Sequence, residues 1–314
     1  VKILLLGVLN LGIFRKDYES AGSGIAKNSH QKGIRLFFEI LGVRFWKIIE
    51  VNLLYSLFYL PILFAFTFFA YVSNKNIALI LGGIMIVLFL ALWGPATSGV
   101  FKIMKNFSQD KHSFIISDFT QTFKSNFKNA CIIGIIDVLL LSSIIAGMWV
   151  YPALANQTGS KIMYVFLAIS LSVGVTFIMM NFYMFPMLVS TDLSLKNIFK
   201  NSFALMFVEL KRNFITFLII GAITAVMLFL IFFVNFAFIY ILPFFPFAFN
   251  AFLICFRSYP VIQKYVINPY YEEKGEINPE LQGNTSTEES LFEDKGGSEK
   301  PIESRKKKKG KTIS

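Results

Sequence analysis

Six stretches of almost unbroken apolar residues divide the chain, over 48–72, 77–101, 130–151, 162–189, 214–239 and 244–263. A helix needs about 20 apolar residues to cross the hydrocarbon of a bilayer, and each stretch meets that length. Within lipid the backbone must satisfy its own polar groups, so these stretches are expected to be helices. The weak two-residue alternation of barrel strands is missing from the sequence. Ahead of the first stretch, residues 34–47 follow a helical period. Leu36, Phe37, Ile40, Leu41 and Phe45 share one face, while Arg35, Glu39 and Arg44 lie off it. This spacing predicts an amphipathic helix lying in the interface before the chain turns into the membrane.

The same order recurs twice more. Phe119, Phe123-Lys124-Ser125-Asn126-Phe127-Lys128 precedes the third stretch, and Phe203, Phe207, Lys211-Arg212-Asn213-Phe214 precedes the fifth. Each second stretch returns to a proline beside an aromatic, at Trp93-Gly94-Pro95, Phe185-Pro186 and Tyr259-Pro260. The pattern reads as a parallel threefold repeat of interfacial helix, span, short loop and span, over 34–101, 114–189 and 198–263. The expected fold is all-α: an integral membrane helical bundle of six transmembrane helices, arranged as three hairpins with cytoplasmic interfacial helices. Residues 1–33 would form a cytoplasmic N-terminal segment and 34–265 the membrane domain. Residues 266–314 would form a disordered cytoplasmic tail, because they hold too few large apolar side chains to fold.

Charge orients these elements. Of the 30 lysines and arginines, 28 fall before the first stretch, in the second and fourth connections, or at the C-terminal end. Lys75 and Lys161 alone occupy the other connections. Retained positive charge marks the cytoplasmic side, so both termini are expected inside. The net charge of +11 is thereby explained, and no nucleic-acid partner is expected. With 37 phenylalanines and 55% hydrophobic residues, a soluble chain would expose large apolar patches; a lipid bilayer is the expected partner. The run Lys2 and Ile3–Phe14 is too short to span, and no A-x-A-like site follows, so a cleaved signal peptide is not expected. Cys131 and Cys255 fit small buried apolar residues rather than a disulfide or metal pair.

Candidate chemistry is sparse. Asp137 lies seven residues into the third stretch, at a depth where a carboxylate is costly unless paired or wet. Asn52 and Asn181, with Asn235 and Asn250, are uncharged counterparts that interhelical hydrogen bonds would explain. Trp93, Gly94 and Pro95 open a small-residue run, Ala96 to Gly99, expected to end or kink the second span. The terminal run Arg305, Lys306, Lys307, Lys308 and Lys309 could contact anionic lipid. The sequence has no phosphate-binding G-x-x-x-x-G-K-[ST], no H-E-x-x-H and no G-x-S-x-G. No enzyme activity, metal or cofactor is therefore expected.

Several segments resemble one family. They are Gly12-Ile13-Phe14, Asp17-Tyr18 and Gly22-Ser23-Gly24-Ile25 with Lys27; Phe45-Trp46-Lys47 with Asn52-Leu53-Leu54 and Pro61-Ile62; Gly94 to Gly99; and Ser117-Asp118-Phe119 with Phe123 to Lys128. Their order is similar to that of the YesL-like bacterial membrane proteins (domain of unknown function 624), over most of residues 12–265. The resemblance implies a bacterial cytoplasmic membrane location. It also implies an accessory role in carbohydrate uptake, with sugar ABC transporter subunits as partners, and it brings no catalytic or binding residues. The long tail departs from shorter members. The rival expectation is a small-solute permease or channel with a polar path near Asp137.

Overall fold

The computed structural model describes residues 33–276 and Asn278, and these are helical throughout, with no strand among them. The N-terminal segment to residue 32 and the basic run Arg305–Lys309 lie outside the described residues. Helix α1 spans Ile34–Ser56 and passes through a 3-10 turn, Leu57–Tyr59, into α2, Leu60–Tyr71. Helix α3, Lys75–Ser108, is the longest at 34 residues. A short α4, Ile115–Ser125, leads into α5, Phe127–Thr158, which pairs with α6, Ile162–Leu188. Another short helix, α7, Leu195–Val208, leads into α8, Leu210–Phe229, which ends in a π turn, Leu230–Val234. After a 3-10 segment, Phe236–Ile241, the last long helix begins as α9, Phe247–Ile262, and runs through a second π turn into α10, Asn268–Lys274.

Five of these units are long and apolar enough to cross a membrane: Ile34–Tyr71, Lys75–Ser108, Phe127–Thr158, Ile162–Leu188 and Leu210–Val234. The sixth expected span, 244–263, is not among them. Its helix has 16 residues and packs inside the protein along most of its length, with Ala248, Ala251, Phe252, Cys255, Tyr259 and Ile262 buried.

The core sits at one end. In α3 burial is nearly continuous from Gly94 to Phe107, but its first half buries only Ala78 and Gly82. In α6 the buried run is Met179 and Phe182–Leu188. These stretches meet the first third of α5, the inner face of α1 and all of α9. The opposite ends of the long helices keep large apolar faces outward, among them Phe66, Leu79, Trp149 and Phe166.

Three expected boundaries are displaced. The amphipathic segment 34–47 does not break from the first span. Phe37, Ile40, Ile48, Val51 and Tyr55 continue one buried stripe, and no proline interrupts it before Pro61. The Trp93-Gly94-Pro95 run does not end the second span. Pro95 lies inside α3, because the small residues that follow it are packed against protein. The last helix continues to Lys274, into the stretch expected to be tail.

Candidate functional site

Where α3 crosses α5, both helices carry glycine. A Cβ on Gly94 would lie 2.0 Å from the Ala130 carbonyl oxygen, and one on Gly134 would lie 2.7 Å from the Gly94 Cα. The backbones therefore touch, as small residues allow. The crossing sets the neighbours of both glycines. One turn along α5 is Asp137, 2% exposed; one turn along α3 is Thr97; and Trp93 lies directly before Gly94.

A buried polar cluster results. Asn181 on α6 donates through Nδ2 to Asp137 Oδ1 at 2.7 Å. The Asn181 Oδ1 is buried and accepts nothing from the described residues. Tyr55 on α1 reaches the same crossing, where its hydroxyl meets Thr97 Oγ1 at 2.7 Å. Thr97 spends its single proton on the Trp93 carbonyl, at 2.7 Å. The Tyr55 hydroxyl must therefore be the donor to Thr97. Trp93 Nε1 donates to the Tyr59 hydroxyl at 3.3 Å, and the Tyr55 and Tyr59 rings meet edge-on with centroids 5.3 Å apart. Asp137, Asn181, Trp93 and Gly94 thus come together, with Pro95 buried in the adjoining turn of α3.

Asn52 belongs to a separate arrangement. Its Nδ2 donates to the carbonyls of Leu242 at 2.9 Å and Pro243 at 2.8 Å. Its Oδ1 accepts from the Ala248 N–H at 2.7 Å. The side chain is fully buried and uses three of its four hydrogen-bonding positions. Beside it the Phe247 ring stacks on Tyr59 at 5.0 Å. Tyr59 precedes the end of α2 at Tyr71 by about 18 Å of helical rise. Its partner Trp93 lies about 27 Å from the start of α3 by the same measure. The 242–248 turn is therefore sunk far below the Val72–Asn74 turn. Irregular backbone at such depth must find partners in the protein, and Asn52 supplies them. In the six-span expectation the link between 214–239 and 244–263 would be an outer turn, whereas this turn lies inside the bundle. It also means that α9 starts deep within the bundle, beside Tyr59.

A third clamp holds the α7–α8 break. Asn213 donates through Nδ2 to the carbonyls of Leu205 and Met206, at 3.3 and 3.0 Å, and accepts from the Tyr183 hydroxyl at 2.6 Å. Arg257 on α9 donates to Thr216 Oγ1 at 2.5 Å and to the Arg212 carbonyl at 3.0 Å, joining the foot of α8 to α9. Sequence reasoning gave no bonding role to Tyr55, Tyr59, Asn213 or Arg257. The first two carry a legible signal, since positions four apart share a helix face. Cys255 is buried and Cys131 half-buried, and both are free thiols. No group of three His, Cys, Asp or Glu side chains among the described residues could hold a metal.

Neither the curated proteins nor the solved structures contain a match to this chain. Residues 48–148, which hold the first hairpin, the Gly94–Gly134 crossing and Asp137, match the model of the family described as Protein of unknown function, DUF624, the family that the sequence resembles.

Proposed function

We propose that the chain is a multi-pass protein of a bacterial cytoplasmic membrane, with its basic end facing the cytoplasm. We further propose that it serves as a non-catalytic accessory to membrane uptake machinery, with the membrane subunits of a carbohydrate ABC transporter as partners. The sugar assignment rests on the family resemblance alone. In this reading the three hairpins are repeats, the third of them shortened by its sunken turn.

One observation carries the accessory role. The helix over Leu210–Val234 buries only Asn213, Thr216, Met227 and Ile231, while Phe214, Leu218, Val226, Phe229, Phe232 and Phe233 face outward. The other long helices pair along their lengths, whereas this one meets α9 and α6 mainly at its foot. Such a helix presents an apolar flank to a second membrane protein. The cavities described lie toward the basic ends of the helices, and none is lined by Asp137.

A specific observation favours a second reading. The unpaired Asn181 Oδ1 beside Asp137 is an acceptor that a solute hydroxyl would satisfy. That would make the protein a small-solute permease. A photo-crosslinking residue in place of Phe229, together with sugar flux into vesicles holding only the purified protein, separates the two. The accessory role requires an adduct with the membrane subunit of a carbohydrate transporter and no flux. Sugar flux through the protein alone would establish the permease instead.

A further inference from the structure

A hollow of about 260 Å³ lies at the basic end of the bundle, between the turn that follows α6 and the last helix. Ser190, Thr191 and Asp192 line it from the turn, and Ile267, Tyr270 and Tyr271 from the helix. Its polar side chains offer acceptors. The Ser190 hydroxyl donates its proton to the Pro186 carbonyl at 2.6 Å, and the Thr191 hydroxyl to the Met187 carbonyl at 2.8 Å. Each of these oxygens keeps only lone pairs for a ligand. Asp192 adds an exposed carboxylate, and no lysine or arginine among the described residues forms an ion pair with it. The described lining holds no lysine, arginine or side-chain amide.

The aromatic wall favours the same kind of ligand. The Tyr270 and Tyr271 rings meet edge-on, with centroids 5.5 Å apart and planes at 83°, so they form a corner. Lys274 sets its ammonium 4.4 Å from the centre of the Tyr270 ring, which leaves the Tyr271 ring for a ligand. A ring face attracts a cation within about 6 Å of its centre. Acceptor oxygens, a carboxylate and ring faces around one small space select a hydrogen-bond donor that carries positive charge. The volume lies just below the range of small-molecule sites, which begins at about 300 Å³, and suits one cationic head group.

We propose that this hollow binds an ammonium or guanidinium group, held between the Asp192 carboxylate and the Tyr271 ring. The cation comes either from the chain's own basic run, Arg305–Lys309, or from a small soluble molecule. The run follows Glu276 by about 30 residues, and a free coil of that length reaches about 30 Å, ample for a return to the helix it follows.

The test titrates the purified full-length protein, in a non-ionic detergent, with N-acetyl-arginine amide and reads binding by saturation-transfer NMR. N-acetyl-citrulline amide is the neutral isostere. The titration is repeated on a variant with Arg305 and Lys306–Lys309 replaced by glutamine. Equal binding to both forms identifies a soluble ligand, and tighter binding to the glutamine variant identifies the basic run as the occupant. In the form that binds more tightly, Asp192→Asn should weaken the arginine probe about fivefold and Tyr271→Leu about threefold, as loss of an exposed charge pair or ring contact does. Glu50→Gln, which changes an exposed carboxylate away from the hollow, should leave the affinity as it is. Binding of the citrulline probe as tight as that of the arginine probe, an unchanged affinity in Asp192→Asn, or no binding to either form overturns the proposal.

Discussion

Asn52→Ala tests whether the 242–248 turn is truly sunk in the protein. The substitution removes an acceptor from the Ala248 N–H and a donor from two carbonyls, those of Leu242 and Pro243. A buried polar group left without a partner costs about 1–3 kcal/mol, so the full penalty for three groups is about 3–9 kcal/mol. Water reaching the turn would lower that cost. Interhelical hydrogen bonds in membranes average about 0.6 kcal/mol each, which sets a floor of about 2 kcal/mol. A loss of about 2–5 kcal/mol is expected, concentrated in the turn and the start of α9. The assay labels single cysteines with an impermeant thiol reagent in intact cells, after Cys131 and Cys255 are replaced by alanine. A cysteine at Lys75 should label, one at Lys111 should not, and one at Leu242 should label only in the Asn52→Ala background. Labelling at 242 as fast as at 75 with Asn52 intact would show that the turn reaches the outer surface, and the depth argument would fail.

Gly94→Ala should destabilise the protein by at least about 1–3 kcal/mol, because its methyl group meets backbone rather than a movable side chain. Gly83→Ala, with open space around the new methyl, should be neutral or slightly stabilising in the same denaturation experiment. Asn181→Leu strips Asp137 of its donor and should lower the amount of folded protein recovered from membranes. Asp137→Leu in that background should restore part of the loss. A double variant no better than Asn181→Leu would mean that the carboxylate is satisfied elsewhere.

Hydropathy made the long helices legible, because lipid-facing and core-facing residues are both apolar. The same degeneracy hid the difference between them. Residues 244–263 read as a span, yet their apolar character comes from burial under α1, α3 and α6. Gly94 and Pro95 read as an end because small residues and proline often mark one. Here they mark the crossing with α5, and α3 continues past them to Ser108. Asp137 and Asn181 were each legible as costly polar groups. Their pairing across 44 residues was not, since it depends on the α5–α6 register. Asn52 has its partners 190 to 196 residues away, and no local pattern points there.

The uneven packing along the bundle axis bears on how the protein meets bilayers of different thickness. From Lys75 to Gly94 the rise is about 28 Å, close to a hydrocarbon core of about 30 Å. The tightly packed body lies mostly beyond that depth, from Gly94 to Phe107 on α3 and along α9. The arms of each hairpin pair with one another, but beyond the root they keep large apolar faces turned outward. A thinner or thicker bilayer is then accommodated by tilting the arms, at fractions of a kcal/mol per Å of mismatch. The body itself is not strained. Lipid chain length should therefore act on whatever touches the arms, while whatever binds at the root stays indifferent to it.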